Sequence, residues 1–269
     1  MTAMSWRHWL LIAIPVAALA GFWLAGPIAQ PPGYHLFADA RSCLGVPNAA
    51  NVVSNGAFLV AGLLGLFLCV VRRPGGARVV ARRSSNDGGR PTPAAGALYA
   101  WIVFFAGVAL VCAGSAYYHW GPNDATLVWD RLPMAIGFMA LYVATLAEHV
   151  DGRLERALLV PAALLGPTTV LYWDMSGDLA FYLALQVQTF ASLLAVVAFF
   201  PHTHRQKGYL IAAFASYGIA VIFERLDMTL WSATAGAVSG HTIKHLFAAA
   251  AAGCIVVMLW RRPPLARGA

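Results

Sequence analysis

Eight long apolar segments constrain the fold of this chain more than any other feature of its sequence. Several approach or exceed the roughly 20 residues that a helix needs to cross a bilayer. A soluble core could not hide so many uninterrupted runs, and only 11% of the residues are charged, against about 25% in an average soluble chain. The segments are Trp9–Ala25, Ala50–Val71, Ala97–Tyr118, Leu132–Ala147, Ala157–Trp173, Leu179–Phe200, Tyr209–Phe223 and Thr242–Trp260.

Each apolar segment is predicted to be helical, because a single span in lipid must satisfy its own backbone hydrogen bonds. The predicted fold class is therefore all-α, a polytopic transmembrane bundle that makes its contacts within the membrane.

Lysine and arginine are distributed unevenly between the predicted loops. When the basic stretch 72–93 is placed in the cytoplasm and the chain is threaded from there, only four of the 18 basic residues fall outside. By the positive-inside rule this predicts eight crossings with both termini in the cytoplasm. Nucleic-acid binding is not indicated by the net charge of +7, because the basic residues form no single face. The four outer residues are Arg41, Arg131, Arg225 and Lys244.

Residues 1–30 have two interpretations. They form either a transmembrane helix that is retained or a signal-like leader that is cleaved, since a short basic start and small residues after Ala25 resemble a signal peptide. The length of the apolar run favours the helix. The stretch 72–93 holds six arginines among glycine, serine, asparagine and proline, which is typical of a disordered loop without chemistry.

Three predicted helix ends that are far apart in sequence place polar residues at one membrane depth. Ser115 and His119 end the third segment, Asp130 opens the fourth, and His241 and His245 open the last. Ionisable groups at this depth are costly and favour a functional role. The spacing of four puts His241 and His245 on one helix face, a familiar half of a zinc site. With His119 as third ligand, one position stays open, as in catalytic zinc sites.

These residues also have purely structural interpretations. His119 could bond to a backbone carbonyl, Ser115 could bond within its own helix, and Asp130 could pair with Arg131 at the membrane interface. Their coincidence at one depth favours the metal site over these separate explanations.

Three further polar residues are predicted at the same end. They could orient the ligand histidines by hydrogen bonds, or they could form salt bridges with Arg225 and with each other. They are Glu224, Asp227 and Lys244.

Four motifs occur in the order Asn51-Val-Val-Ser-Asn55, Gly-Ser115-Ala-Tyr-Tyr-His119, Asp130-Arg-Leu-Pro-Met134 and His241-Thr-Ile-Lys-His245. Together they resemble the pattern of the alkaline ceramidase family, which belongs to a superfamily of seven-helix membrane hydrolases that includes the adiponectin receptors. The resemblance covers roughly residues 34–260 and is more specific for the superfamily than for the substrate. It implies a seven-helix domain over 34–262, to which the first helix is an addition.

The resemblance implies catalytic roles for Ser115 and Asp130 and a Zn²⁺ ion held by the three histidines His119, His241 and His245. It also implies an activity, hydrolysis of the amide of a ceramide-like lipid from the bilayer to a fatty acid and a long-chain base. The eukaryotic members bind calcium through an acidic cluster before the first motif. Here Asp39 is the only acidic candidate, and Asn48 stands where the family has a glutamate. A regulatory Ca²⁺ ion is therefore not expected.

The expected mechanism uses zinc to lower the pKa of a bound water to about 7. Asp130 would move a proton from that water to the leaving amine, and Ser115 would help to stabilise the oxyanion. These parts do not distinguish an amide from an ester. The expected location is a bacterial inner membrane with the site towards the outer face, and the sequence indicates no protein partner.

Three alternatives remain from the residues alone. A zinc-containing membrane receptor or sensor without hydrolysis would need neither Ser115 nor Asp130. A bis-histidine haem protein needs axial ligands on opposing faces, whereas His241 and His245 share one face. A transporter is not favoured, because no internal repeat is evident.

Overall fold

The structure, a computed structural model, describes residues 5–72, 97–200 and 204–262, and helices dominate all three ranges. A 3₁₀ turn covers Pro32–His35, and a π-helical turn, Leu68–Arg72, extends the third helix. The helices are α1 (Trp6–Ala25), α2 (Ala49–Ser54), α3 (Gly56–Phe67), α4 (Leu98–Trp120), α5 (Asp124–His149), α6 (Arg153–Ser176), α7 (Ala180–Phe199), α8 (His204–Arg225), α9 (Asp227–Ala233) and α10 (Gly240–Trp260).

Eight spans in the described ranges are long and apolar enough to cross a membrane, with α2 and α3 counting as one. The prediction of an all-α, multi-pass integral membrane protein is thereby confirmed. Apart from Arg72, the basic stretch 72–93 lies outside the described residues.

The fourth span begins well before its predicted start at Leu132. Asn123 and Thr126 form a capping box, in which the Asn123 side chain accepts from the Thr126 N–H and the Asn123 N–H donates to the Thr126 hydroxyl. The capping box therefore starts α5 at Asp124, ahead of the apolar run. Asp130 consequently lies in the second turn of the helix, where it had been expected to open the helix.

The spans pack in the order α8, α10, α3, α4, α5, with α6 and α7 against α5 and with α1 against α7. Close backbone contact between α4 and α5 depends on Gly114, because a Cβ at that position would lie 2.1 Å from the Trp129 carbonyl oxygen. This contact makes the next residues, Ser115 and Asp130, neighbours on the two helices.

The first helix lies at the periphery of the bundle. Its long side chains are largely exposed, and Trp6 and His8 make edge-to-face ring contacts with Phe199 and Phe200. An exposed apolar surface is expected for a span that faces lipid. The segment that follows α1 turns back over the bundle and contributes to the site described below.

The end of the bundle where α4 ends and α10 begins carries His119, His241 and His245, and we call it the histidine end. The opposite end is held by a buried ion pair in which Arg262 donates two hydrogen bonds to Glu148, of 2.5 and 2.9 Å. Trp101 Nε1 donates a further bond of 2.8 Å to the same carboxylate. Three helices, α4, α5 and α10, are thus joined far from the histidines.

Candidate metal centre

Three buried histidines meet at the histidine end. A ring nitrogen of each of His119, His241 and His245 lies within 4.8 Å of the other two, and this cluster can hold a metal ion. The Nε2 atoms of His119 and His241 are 3.3 Å apart. Two nitrogens bound to one tetrahedral zinc at about 2.0–2.1 Å would be separated by about 3.3 Å. The spacing of these donors therefore fits a zinc ion.

The start of α10 is positioned by capping groups. The Ser239 hydroxyl accepts a hydrogen bond of 3.1 Å from the Thr242 N–H, and Asp227 Oδ1 accepts one of 2.8 Å from the His241 N–H. The Thr242 hydroxyl in turn donates to the side-chain oxygen of Asn51 at 2.9 Å. Satisfied N–H groups at the first turn fix the helix end. They place His241 and His245 towards α4.

The ring of His245 is oriented by Ser54. The Ser54 hydroxyl donates a bond of 3.0 Å to the Asn51 carbonyl, so its lone pairs are free to accept from His245 Nδ1 at 2.8 Å. A proton on Nδ1 leaves Nε2 unprotonated, as a metal ligand must be. This arrangement was not predicted, although Asn51 and Ser54 belong to the first of the four motifs.

We predict that Ser54→Ala lowers the affinity for zinc by about 10- to 100-fold, the usual effect of removing a group that orients a ligand histidine. Competition with a fluorescent zinc chelator in detergent measures this affinity. Ser232→Ala is the control, because the exposed Ser232 hydroxyl bonds only within its own helix, to the Met228 carbonyl. Equal affinity in wild type and Ser54→Ala would contradict the orienting role.

Phe37 covers two of the histidines. Its ring centroid lies 4.6 Å from those of both His119 and His241. The segment carrying Phe37 is tied down by the Ala38 N–H, which donates to Asp227 Oδ2 at 2.9 Å. Asp227 therefore joins this segment to the start of α10, and the aromatic ring shields the cluster from water.

Ser115 and Asp130 lie together beside this cluster. Ser115 is buried on α4, and the half-buried Asp130 lies beside it on α5, across the close contact at Gly114. Both residues line a cavity that is also lined by His241 and His245. The four residues predicted from three distant segments thus share one wall, with His119 immediately behind it.

The cavity has a volume of about 720 Å³, within the range of small-molecule sites. Its wall is mainly apolar and consists of residues from α3, α4, α5, α7, α8, α9, α10 and the segment after α1. Polar groups are concentrated at the histidine end, whereas residues such as Phe214 and Ile255 line the part inside the bundle.

Glu224 and Lys244 bond to each other across α8 and α10. The Lys244 ammonium donates to Glu224 at 2.5 Å, and both side chains line the cavity. Among the described residues neither forms a hydrogen bond with a histidine ring, and Asp227 accepts a bond from the backbone N–H of His241. Glu224 and Lys244 thus form a salt bridge, which was one of the two roles considered, whereas Asp227 caps the start of α10, which was not predicted.

Asp39 is engaged by Arg41. The Arg41 side chain donates bonds of 2.9 and 2.7 Å to the two carboxylate oxygens, and these bonds lower the pKa of Asp39. Asn48 donates to the His119 carbonyl at 2.9 Å, so it serves the end of α4. Asp39, the only calcium candidate, and Asn48, which stands where the family has a glutamate, therefore both have protein partners.

Comparison of the sequence with protein-family models and with curated proteins finds no significant match to either. The resemblance to the alkaline ceramidases therefore rests on the four motifs, and the geometry of the site is what supports its chemistry.

Proposed function

We propose that this chain is a zinc-dependent membrane hydrolase that cleaves the amide bond of a ceramide-like lipid into a fatty acid and a long-chain base. The observation that carries the proposal is that Ser115 and Asp130 line the same cavity as His241 and His245. A site that only holds a metal needs neither a carboxylate nor a hydroxyl beside it.

The three histidines would hold the zinc ion and leave one position open. A zinc ion bound there would lower the pKa of a water to about 7 and polarise a carbonyl oxygen. Asp130 would take a proton from the attacking water and deliver it to the leaving nitrogen. Ser115, which is placed by the close approach of α4 and α5, would donate to the developing oxyanion.

A lipid substrate is supported by the shape of the cavity. The polar groups that would do the chemistry lie at one end, and apolar side chains continue from them into the bundle. An acyl chain bound there would place its amide at the polar end. Access would be lateral, because α8 packs along α10 but only lightly against α7, and the segment after α1 covers the histidine end.

The distribution of basic residues indicates which side of the membrane the site would face. With 14 of the 18 basic residues predicted inside, the histidine end would face the outside, and the lipid would come from the outer leaflet.

The test is the release of fatty acid from lipid amides by detergent-purified protein. We expect release from at least one N-acyl lipid, loss of release after chelation, and recovery when Zn²⁺ is added back. Tight lipid binding without release in the zinc-loaded protein would instead support the receptor alternative. An ester analogue of each amide, assayed in parallel, would show which bond the site cleaves.

A further inference from the structure

Basic residues at the histidine end fall into two groups. Arg41 is paired with Asp39, and Lys244 is paired with Glu224. Arg131 and Arg225 form no salt bridge within the described part of the chain, and both line the cavity. Arg225 is exposed, but Arg131 is only 5% exposed, so its charge is isolated from solvent.

Arg131 is enclosed by three aromatic rings. Its guanidinium carbon lies 4.1 Å from the ring centroid of Trp173, 5.1 Å from that of Tyr182 and 5.4 Å from that of Tyr34. Such cation–π contacts stabilise a desolvated cation. They do not supply hydrogen-bond acceptors for its N–H groups, and a buried charge without a carboxylate is costly.

The hydrogen bonds of Arg131 are incomplete. Nη2 donates to Gln30 Oε1 at 2.8 Å, but Nη1 has no partner among the described residues. The amide nitrogen of Gln30, Nε2, likewise lacks a partner there. Arg131 and Gln30, which are hydrogen-bonded to each other, therefore each have a buried N–H donor without an acceptor among the described residues. Both side chains line the cavity. Unsatisfied donors of this kind require an acceptor.

We propose that Arg131, together with Gln30, binds an anionic headgroup, so that the preferred ligand is an amphiphile with a carboxylate or phosphate near its amide. This specificity rests on the proposed function, because it concerns the substrate of the same site. A guanidinium matches the geometry of either anion through paired hydrogen bonds. Arg131 is a specificity-determining residue, and the acid–base chemistry stays with Asp130.

The position of Arg131 assigns the anion to the amine side of the lipid. Arg131 follows Asp130 directly, and Gln30 and Tyr34 line the same cavity. The acyl chain would occupy the apolar part that Phe214 and Ile255 line. The Nη1 atom is shielded, so binding turns the guanidinium towards the cavity. The ring faces allow this turn because cation–π contact is less directional than a hydrogen bond.

The experiment compares two matched amides, N-oleoylglycine and N-oleoylethanolamine, which differ in a carboxylate and a hydroxymethyl group. Equilibrium binding to the detergent-purified chain is measured for both, and kcat/KM is measured where turnover occurs. We expect wild type to bind the glycine amide at least about tenfold more tightly, the effect of about 1.4 kcal/mol. N-oleoylethanolamine phosphate, tested alongside, shows whether phosphate or carboxylate is preferred.

Arg131→Gln should bring the ratio of the two affinities close to one, and Arg131→Lys should restore part of it. Arg225→Gln is the matched control, since it removes an exposed charge from the same cavity and should leave the ratio within about twofold. Equal binding of the two amides by wild type would overturn the proposal, whatever the variants do. So would a preference that Arg131→Gln retains.

The two proposals can fail separately. A preference for the anionic amide without any release of fatty acid would sink the hydrolase and leave the headgroup site standing. Release of fatty acid from both amides with equal binding would leave the hydrolase standing and remove the headgroup site.

Discussion

His241→Ala is expected to lose its bound metal and, with it, all measurable hydrolysis of lipid amides. The wild-type chain should carry about one zinc when it is purified without chelator, since three histidines supply the ligands of a catalytic zinc site. With two ligands left, we expect less than about a tenth of that content, because His119 and His245 alone would hold the ion weakly. Elemental analysis of the detergent-purified proteins measures the metal directly.

The control for this experiment is His8→Ala, which removes a histidine from the exposed start of α1. His8 bonds to Ser5 and contacts Phe200, far from the histidine end, so its loss should change neither zinc content nor turnover. Full zinc occupancy in His241→Ala would show that the ion lies elsewhere. Absence of any transition metal in wild type would remove the hydrolase mechanism altogether.

Asp130→Asn is expected to retain zinc but to lower kcat by about 10²- to 10⁴-fold, the usual contribution of a general acid–base group. The amide has nearly the volume of the carboxylate, so packing between α4 and α5 should persist. It cannot accept a proton from water, and KM should therefore change much less than kcat. Steady-state kinetics together with zinc analysis on the same preparation separate the two effects.

Asp124→Asn is the matched control for that variant. Asp124 also lies on α5, but it is exposed, and its carboxylate bonds to His35 at 3.1 Å and to no other side chain among the described residues. An exposed pair of this kind contributes little to stability, so turnover should stay close to wild type. If Asp130→Asn kept its wild-type rate, the proton would have to move through another carboxylate, and Glu224, which lines the same cavity, would be the next residue to test.

The sequence could predict that this is an integral membrane protein, because the features that indicate it are continuous stretches of the chain. Lipid requires long apolar runs, and each of the eight runs is continuous in the chain. The helix period likewise puts His241 and His245 on one face wherever α10 packs. The ends of the spans were less predictable, since the capping box at Asn123 starts α5 within a polar stretch that hydropathy does not detect.

For the distant motifs, the sequence could predict only that they lie at the same membrane depth. Alternating spans bring Ser115, His119, Asp130 and the α10 histidines to one end, and the structure places them around one cavity wall. Depth alone could not show which residues touch. The placement of Ser115 beside Asp130 depends on the approach of two helix backbones at Gly114.

The membrane class, the number of spans and the histidine pair could thus be read from the sequence alone, because each follows from local periodicity or length. The partners of the site depend on the packing of the helices. Ser54 orients a histidine 191 positions away, and Gln30 meets Arg131 across 101 positions. Such contacts arise from how the helices pack and where the segment after α1 lies. Sequence spacing does not encode them, because it constrains a polar side chain only relative to its own helix.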